Sequence, residues 1–174
     1  MSKFLRVLIV VLSICLMTHL CSMTLADGGH NQADTIASHN AAISAANAAY
    51  TMSLEAVQAV ADYADIADYY FAQFPEDECE ACEEIFEEAD SSIDAANLAY
   101  DAANVEYAAG SSDMTQADIY QALQYWDLAT HRGDDALVHF TSAGELFQNA
   151  LNEVLDAQDI LIDAMNENHD HPSE

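Results

Sequence analysis

The chain has 174 residues, with 31 acids against 3 bases and a formal net charge of -28. Nucleic-acid binders need basic side chains that displace counterions from phosphate, so direct DNA or RNA binding is excluded, as is attraction to anionic membranes. An apolar fraction of 52% separates the chain from disordered acidic polymers, and 5 glycines with 2 prolines are too few for the turns of an all-β domain.

Lys3 and Arg6 precede an apolar run from Val7 to Met17, the basic and apolar regions of a secretory signal. Thr24 and Ala26 are the small residues that a signal peptidase reads, which makes residues 1–26 the signal peptide and 27–174 a single helical-bundle domain. An uncleaved anchor is the rival reading, but the uninterrupted run falls short of about 18 apolar residues. Ile14 and Leu20 are too bulky before Cys15 and Cys21 for a lipoprotein site. Cleavage leaves all 31 acids and one base, Arg132, for a net charge of -30, and retains only Cys79 and Cys82. The destination is secreted or periplasmic, and oxidising.

Abundant alanine with sparse Gly and Pro predicts long helices. A first heptad series runs Ile36, Ile43, Tyr50, Val57, Ala64, Phe71, with Ala46, Val60, Ala67 and Phe74 beside it, and Pro75 ends it. A second runs Cys79, Phe86, Ile93, Tyr100, Tyr107, with Cys82, Ala89, Ala96 and Ala103, and stops at Gly110-Ser111-Ser112, where the glycine suits a C-cap. A third runs Ile119, Trp126, Gly133, Phe140, Phe147, Val154, Leu161, with Leu123, Leu137, Leu151 and Met165, and Thr115 with Asp118 resembles a capping box at its start. Its phase is unchanged across Gly133, which favours one helix over two.

The expected fold is therefore all-α, an elongated antiparallel three-helix coiled-coil bundle with helices near 34–74, 76–109 and 115–168 and disordered ends. The alternative is a four-helix bundle broken at Gly133. Ile43 to Tyr50 resembles Ile93 to Tyr100, a pairing that Ala-rich seams also produce by chance.

Cys79-Glu80-Ala81-Cys82 is the sharpest motif. A helix N-terminus lowers a thiol pKa and so favours disulfide exchange, but the neighbouring acids oppose a thiolate and both cysteines lie in phase with the seam. A local structural disulfide is the expectation, and thiol-disulfide oxidoreductase the least unlikely enzymatic activity. Asp127, His131, Asp135 and His139 recur at i, i+4 spacing on one helix and form a candidate weak metal site. His30, His169 and His171 fall in the ends. Arg132-Gly133-Asp134 spells an integrin-recognition tripeptide, but in a helix it lacks the exposed loop such recognition needs.

The remaining feature is the acidic surface. Glu76, Asp77, Glu78, Glu80, Glu83, Glu84, Glu87, Glu88 and Asp90 form a dense cluster, while Asp62, Asp65, Asp68 and Asp156, Asp159, Asp163 form helical rows. No EF-hand loop occurs, so Ca²⁺ or other divalent cations would bind weakly and by screening, and no other cofactor is expected. These features describe a secreted, non-enzymatic structural or interaction protein presenting a polyanionic helical surface to cations or a basic protein. It makes no membrane contact after cleavage, and its seams favour homo-oligomers. The alternative is an extracytoplasmic metal-handling or thiol-redox protein using Cys79, Cys82 and the histidines.

Overall fold

The computed structural model describes residues 32–73 and 80–169, which form three helices: α1 (Gln32–Gln73), α2 (Glu80–Ala122) and α3 (Trp126–His169). At 1.5 Å per residue each is about 65 Å long. Residues 1–31, which include the expected signal segment, Phe74 and Pro75, Glu76 to Cys79 and the tail beyond residue 169 lie outside the described residues. No helix among the described residues is long and apolar enough to cross a membrane.

Three buried clusters fix the topology. At one end Ala42 and Ala46 of α1 meet Ala136 and Phe140 of α3 and Met114 of α2. In the middle Ala49 and Ala56 meet Ala143, Phe147 and Ala150, with Tyr100 and Ala103. At the far end Tyr63, Ala67 and Tyr70 meet Val154, Ala157 and Leu161, with Cys82, Ala89 and Ala96. Numbers rise together along α1 and α3 and fall along α2, so α2 is antiparallel to both. Helix α3 packs along the length of both neighbours, whereas α1 and α2 approach each other closely at few points.

Small residues at sevenfold spacing explain this arrangement. On α3, Ala129, Ala136, Ala143, Ala150, Ala157 and Ala164 are all buried, and on α2 the matching row is Cys82, Ala89, Ala96, Ala103, Gly110 and Ala117. Rows of small side chains let backbones come close, and the larger Phe140, Phe147, Val154 and Leu161 fill the layers between them. Tyr107 stacks edge-on against Phe140 at 5.0 Å, and Tyr100 against Phe147 at 4.9 Å. The core is graded along its length. Thr35, Ser38 and Asp113 are buried at the end where α1 begins, and Tyr70, Val154 and Leu161 at the other.

Two sequence expectations are corrected. The first concerns the second connection, placed at Gly110 to Met114. Helix α2 runs through this stretch to Ala122, and within it Gly110 lies against Phe140, where a Cβ would come 2.9 Å from the ring. Gly110 is a notch in a helix interface and not a C-cap. Ser111 and Thr115 donate to the carbonyls of Tyr107 and Ser111, each at 2.9 Å, so their hydroxyls are spent inside the helix and Thr115 caps nothing.

The actual end of α2 is a Schellman motif: Tyr125 N donates to Tyr120 O at 2.9 Å and Gln124 N to Gln121 O at 3.0 Å, with Gln124 at φ 60°. A left-handed glutamine is an unusual occupant, which is why the sequence carries no stop signal there. Ile119 and Leu123 consequently belong to α2, where both are exposed.

The second correction concerns the α1 seam, which is displaced by one residue. The buried row is Thr35, Ala42, Ala49, Ala56, Tyr63 and Tyr70, while Ile36, Tyr50, Val57 and Phe71 are only partly buried and Ile43 and Ala64 are exposed. In closely packed helices the contact line takes the smallest residues and the large ones flank it, so following large residues finds the flank. Gly133 lies within α3, and the helix is unbroken there.

Candidate functional site

Two regions of the rod differ in chemistry, and the difference follows from where the bases fall. No Lys, Arg or His occurs between residues 40 and 130 or between 140 and 168. Among the described residues, the end holding the last turns of α1, the first of α2 and the last of α3 therefore carries carboxylates and, at the final position of α3, His169 as its one base. Asp62, Asp65 and Asp68 of α1, Glu83, Glu84, Glu87, Glu88 and Asp90 of α2, and Asp156, Asp159 and Asp163 of α3 are exposed there. Of the acidic cluster, Glu76, Asp77 and Glu78 are outside the described residues.

Beneath this coat, the Tyr63 hydroxyl is buried with no hydrogen-bond partner among the described residues, and burial, reinforced by the charge of Asp90, pushes it up to about 12. Tyr70 donates to the Cys82 carbonyl at 3.4 Å and is likewise raised by burial. Cys82 is buried in the same cluster, while Cys79 falls outside the described residues.

The opposite end collects every described base except His169. Arg132 Nη1 donates to Asp113 of α2 at 3.0 Å and to Asp135 at 3.4 Å. His139 places Nδ1 2.7 Å from Glu106 and Nε2 3.6 Å from Asp113, so this carboxylate lies between two cationic or polar partners. His131 lies 3.7 Å from Asp135, and His39 of α1 lies 3.8 Å from Asp118 of α2. Burial raises the Asp118 carboxyl, against the opposing pull of His39.

Helix α1 is fastened to α3 at this end by polar contacts: the Thr35 and Thr130 hydroxyls meet at 2.8 Å, and Ser38 donates to Asp134 Oδ1 at 2.7 Å and to Thr130 O at 3.2 Å. Gly133 is required here, because a Cβ would collide with the Ser38 hydroxyl. The tripeptide Arg132-Gly133-Asp134 is thus helical and held by neighbours on two helices.

The four residues expected as a weak metal site are split between these contacts. Asp135 bridges Arg132 and His131, His139 turns to α2, and Asp127 lines a shallow open hollow with Asp34, Thr130, His131 and Asp134. Among the described residues no group of three or more His, Cys, Asp or Glu converges as a metal ion requires. Glu106, Asp113 and Asp34 were not singled out from the sequence, and Asp134 only as part of the Arg132-Gly133-Asp134 tripeptide. Their one signal was Asp113, a carboxylate three residues after Gly110 and so in phase with the small-residue row.

The sequence matches no protein-family model, and no curated protein or solved structure is significantly similar to it.

Proposed function

We propose that the chain is an exported, non-enzymatic helical rod, packed as a coiled coil, whose polyanionic surface is directed at cations or a basic partner. The observation that carries this reading is the acidic end of the rod, where three helices expose carboxylates with no Lys or Arg among the described residues there. Like charges so arranged repel, and counterions or a basic protein relieve the repulsion. The basic and apolar start of the sequence supports export, and the removal of residues 1–26 raises the net charge to -30.

Cys82 is buried against Tyr70, which favours a structural disulfide with Cys79 over exchange chemistry, since a reactive thiolate needs access and an electropositive setting. Charge repulsion between copies opposes homo-oligomers. The test is thermal denaturation in millimolar Ca²⁺ and in NaCl of equal ionic strength. Calcium is expected to raise the melting temperature more than NaCl does, and equal shifts would leave only non-specific screening.

A further inference from the structure

The small-residue row that seats α2 on α3 has a counterpart on the outer side of the helix. Leu98, Val105, Ile119 and Leu123 are 73, 68, 53 and 56% exposed. Ser91, Ala95, Ala102, Ala109, Ser112 and Gln116 complete their row, which steps alternately by four and three residues from Ser91 to Leu123 and holds no charged and no buried side chain. Such spacing keeps one face of a helix in line for a second helix. In a chain of net charge -28, an uncharged strip about 50 Å long is where another chain can approach with least repulsion. Two of the acids that flank it are already answered from α3, Glu106 by His139 at 2.7 Å and Asp113 by Arg132 at 3.0 Å.

We propose that this strip is the contact between two copies of the chain, packed antiparallel along α2 about a twofold axis at the level of Tyr107. The strip is self-complementary in size in that register. Leu123 faces the partner's Ser91, Ile119 the partner's Ala95, Leu98 the partner's Gln116 and Val105 the partner's Ala109, so each large side chain meets a smaller or unbranched one. It is complementary in charge as well. Asp94 and Asp101, on one flank, come opposite the partner's Ala122 and Thr115, whereas a parallel pair would set Asp101 against the partner's Glu106. Glu106 meets its own copy across the axis, where each carboxylate has a His139 ring beside it.

The antiparallel arrangement also lays Glu83, Glu84, Glu87 and Glu88 of each rod beside the end of the other that carries Arg132, His39, His131 and His139. A strip of this length and one helix in width covers about 1,100 Å² over both partners, the lower end of specific interfaces, which sets the dimer in the micromolar range. The strip itself holds no carboxylate, so the contact stands or falls apart from the polyanionic reading.

Sedimentation equilibrium of the exported chain, from about 1 to about 300 μM in about 0.15 M NaCl, is expected to show a monomer–dimer equilibrium. Val105→Glu and, separately, Leu98→Glu are expected to weaken the dimer at least about tenfold with helical circular dichroism unchanged, because each buries a carboxylate only in the dimer. Thr115→Lys with Ala122→Lys places lysines opposite the partner's Asp101 and Asp94 and is expected to tighten the dimer more than Thr51→Lys with Gln148→Lys, which changes the net charge equally on α1 and α3. A chain monomeric across the whole range leaves the strip to a different helix or to lipid and overturns the proposal. A dimer indifferent to both glutamate variants overturns the face, and equal tightening by the two lysine pairs overturns the antiparallel register.

Discussion

Arg132 reaches from α3 to α2 and donates to Asp113, whose side chain is only 12% exposed. A carboxylate held that far from water needs its partners, and Asp113 has two, the guanidinium and the His139 ring at 3.6 Å. Removing one partner of a mostly buried pair costs more than the pair itself contributes, because the remaining charge stays desolvated. Arg132→Ala is therefore expected to destabilise the protein by about 1–3 kcal/mol in urea denaturation, with Arg132→Lys intermediate because it loses the planar guanidinium geometry. A loss under about 0.5 kcal/mol would mean that Asp113 is solvated in solution. That Arg132 is the one Lys or Arg after Arg6 was legible in the sequence. Its partner was not, because Asp113 lies on a stretch whose Gly-Ser-Ser composition imitates a loop.

At the level of the helix, the glycines and Gln124 exchange the roles that their types suggest. Gln124 holds the left-handed position of the α2 end, where an L residue costs about 1–2 kcal/mol and glycine does not. Gln124→Gly is expected to raise stability by about 1 kcal/mol in thermal or urea unfolding. Gly110→Ala should act in the opposite sense. Its gain in helix propensity, about 1 kcal/mol, is outweighed by displacement of the buried Phe140 ring, for a net loss of about 1–2 kcal/mol. Gly144 is the control. A Cβ there would sit 3.7 Å from Ala49 Cα, in ordinary contact, so Gly144→Ala should stabilise by about 0.5–1 kcal/mol. If all three substitutions shifted stability in the same direction, the account of these helices as notch, cap and spare site would fail.

For the molecule as a whole, the tyrosines set an alkaline limit. Burial pushes Tyr63 and Tyr100 up to about 12, with Asp90 adding to the first and Tyr50 to the second, while the Ser53 hydroxyl pulls Tyr100 the other way. In the unfolded chain both titrate near about 10. A raised pKa means that the fold favours the neutral phenol, so the stability these groups contribute is present below about pH 10 and is lost as pH rises toward about 12. Helical circular dichroism is expected to fall in that window together with the growth of tyrosinate absorbance. Tyr63→Phe, which removes a hydroxyl with no partner among the described residues, should leave neutral-pH stability nearly unchanged and move the transition upward. A transition unmoved by that substitution would place the alkaline lability in another group.

The sequence by itself determined the all-helical class, three helices, the continuity of α3 through Gly133, and the pattern Trp126 to Leu161 along its core face. These follow from local propensity and from a period that large apolar residues mark on one helix. It also located the acids and the scarcity of bases, which are properties of composition. Only the tertiary structure decided where α2 ends, which face of α1 is buried, and that His139 turns to Glu106 and Asp113 of α2 while His131 and Asp135 stay 3.7 Å apart on α3. The reason is the same in each case. Gly110 is explained by the ring of Phe140, the alanine row of α1 by the close approach of α3, and the orientation of His139 by Glu106, all partners distant in the chain and invisible to a helix read alone.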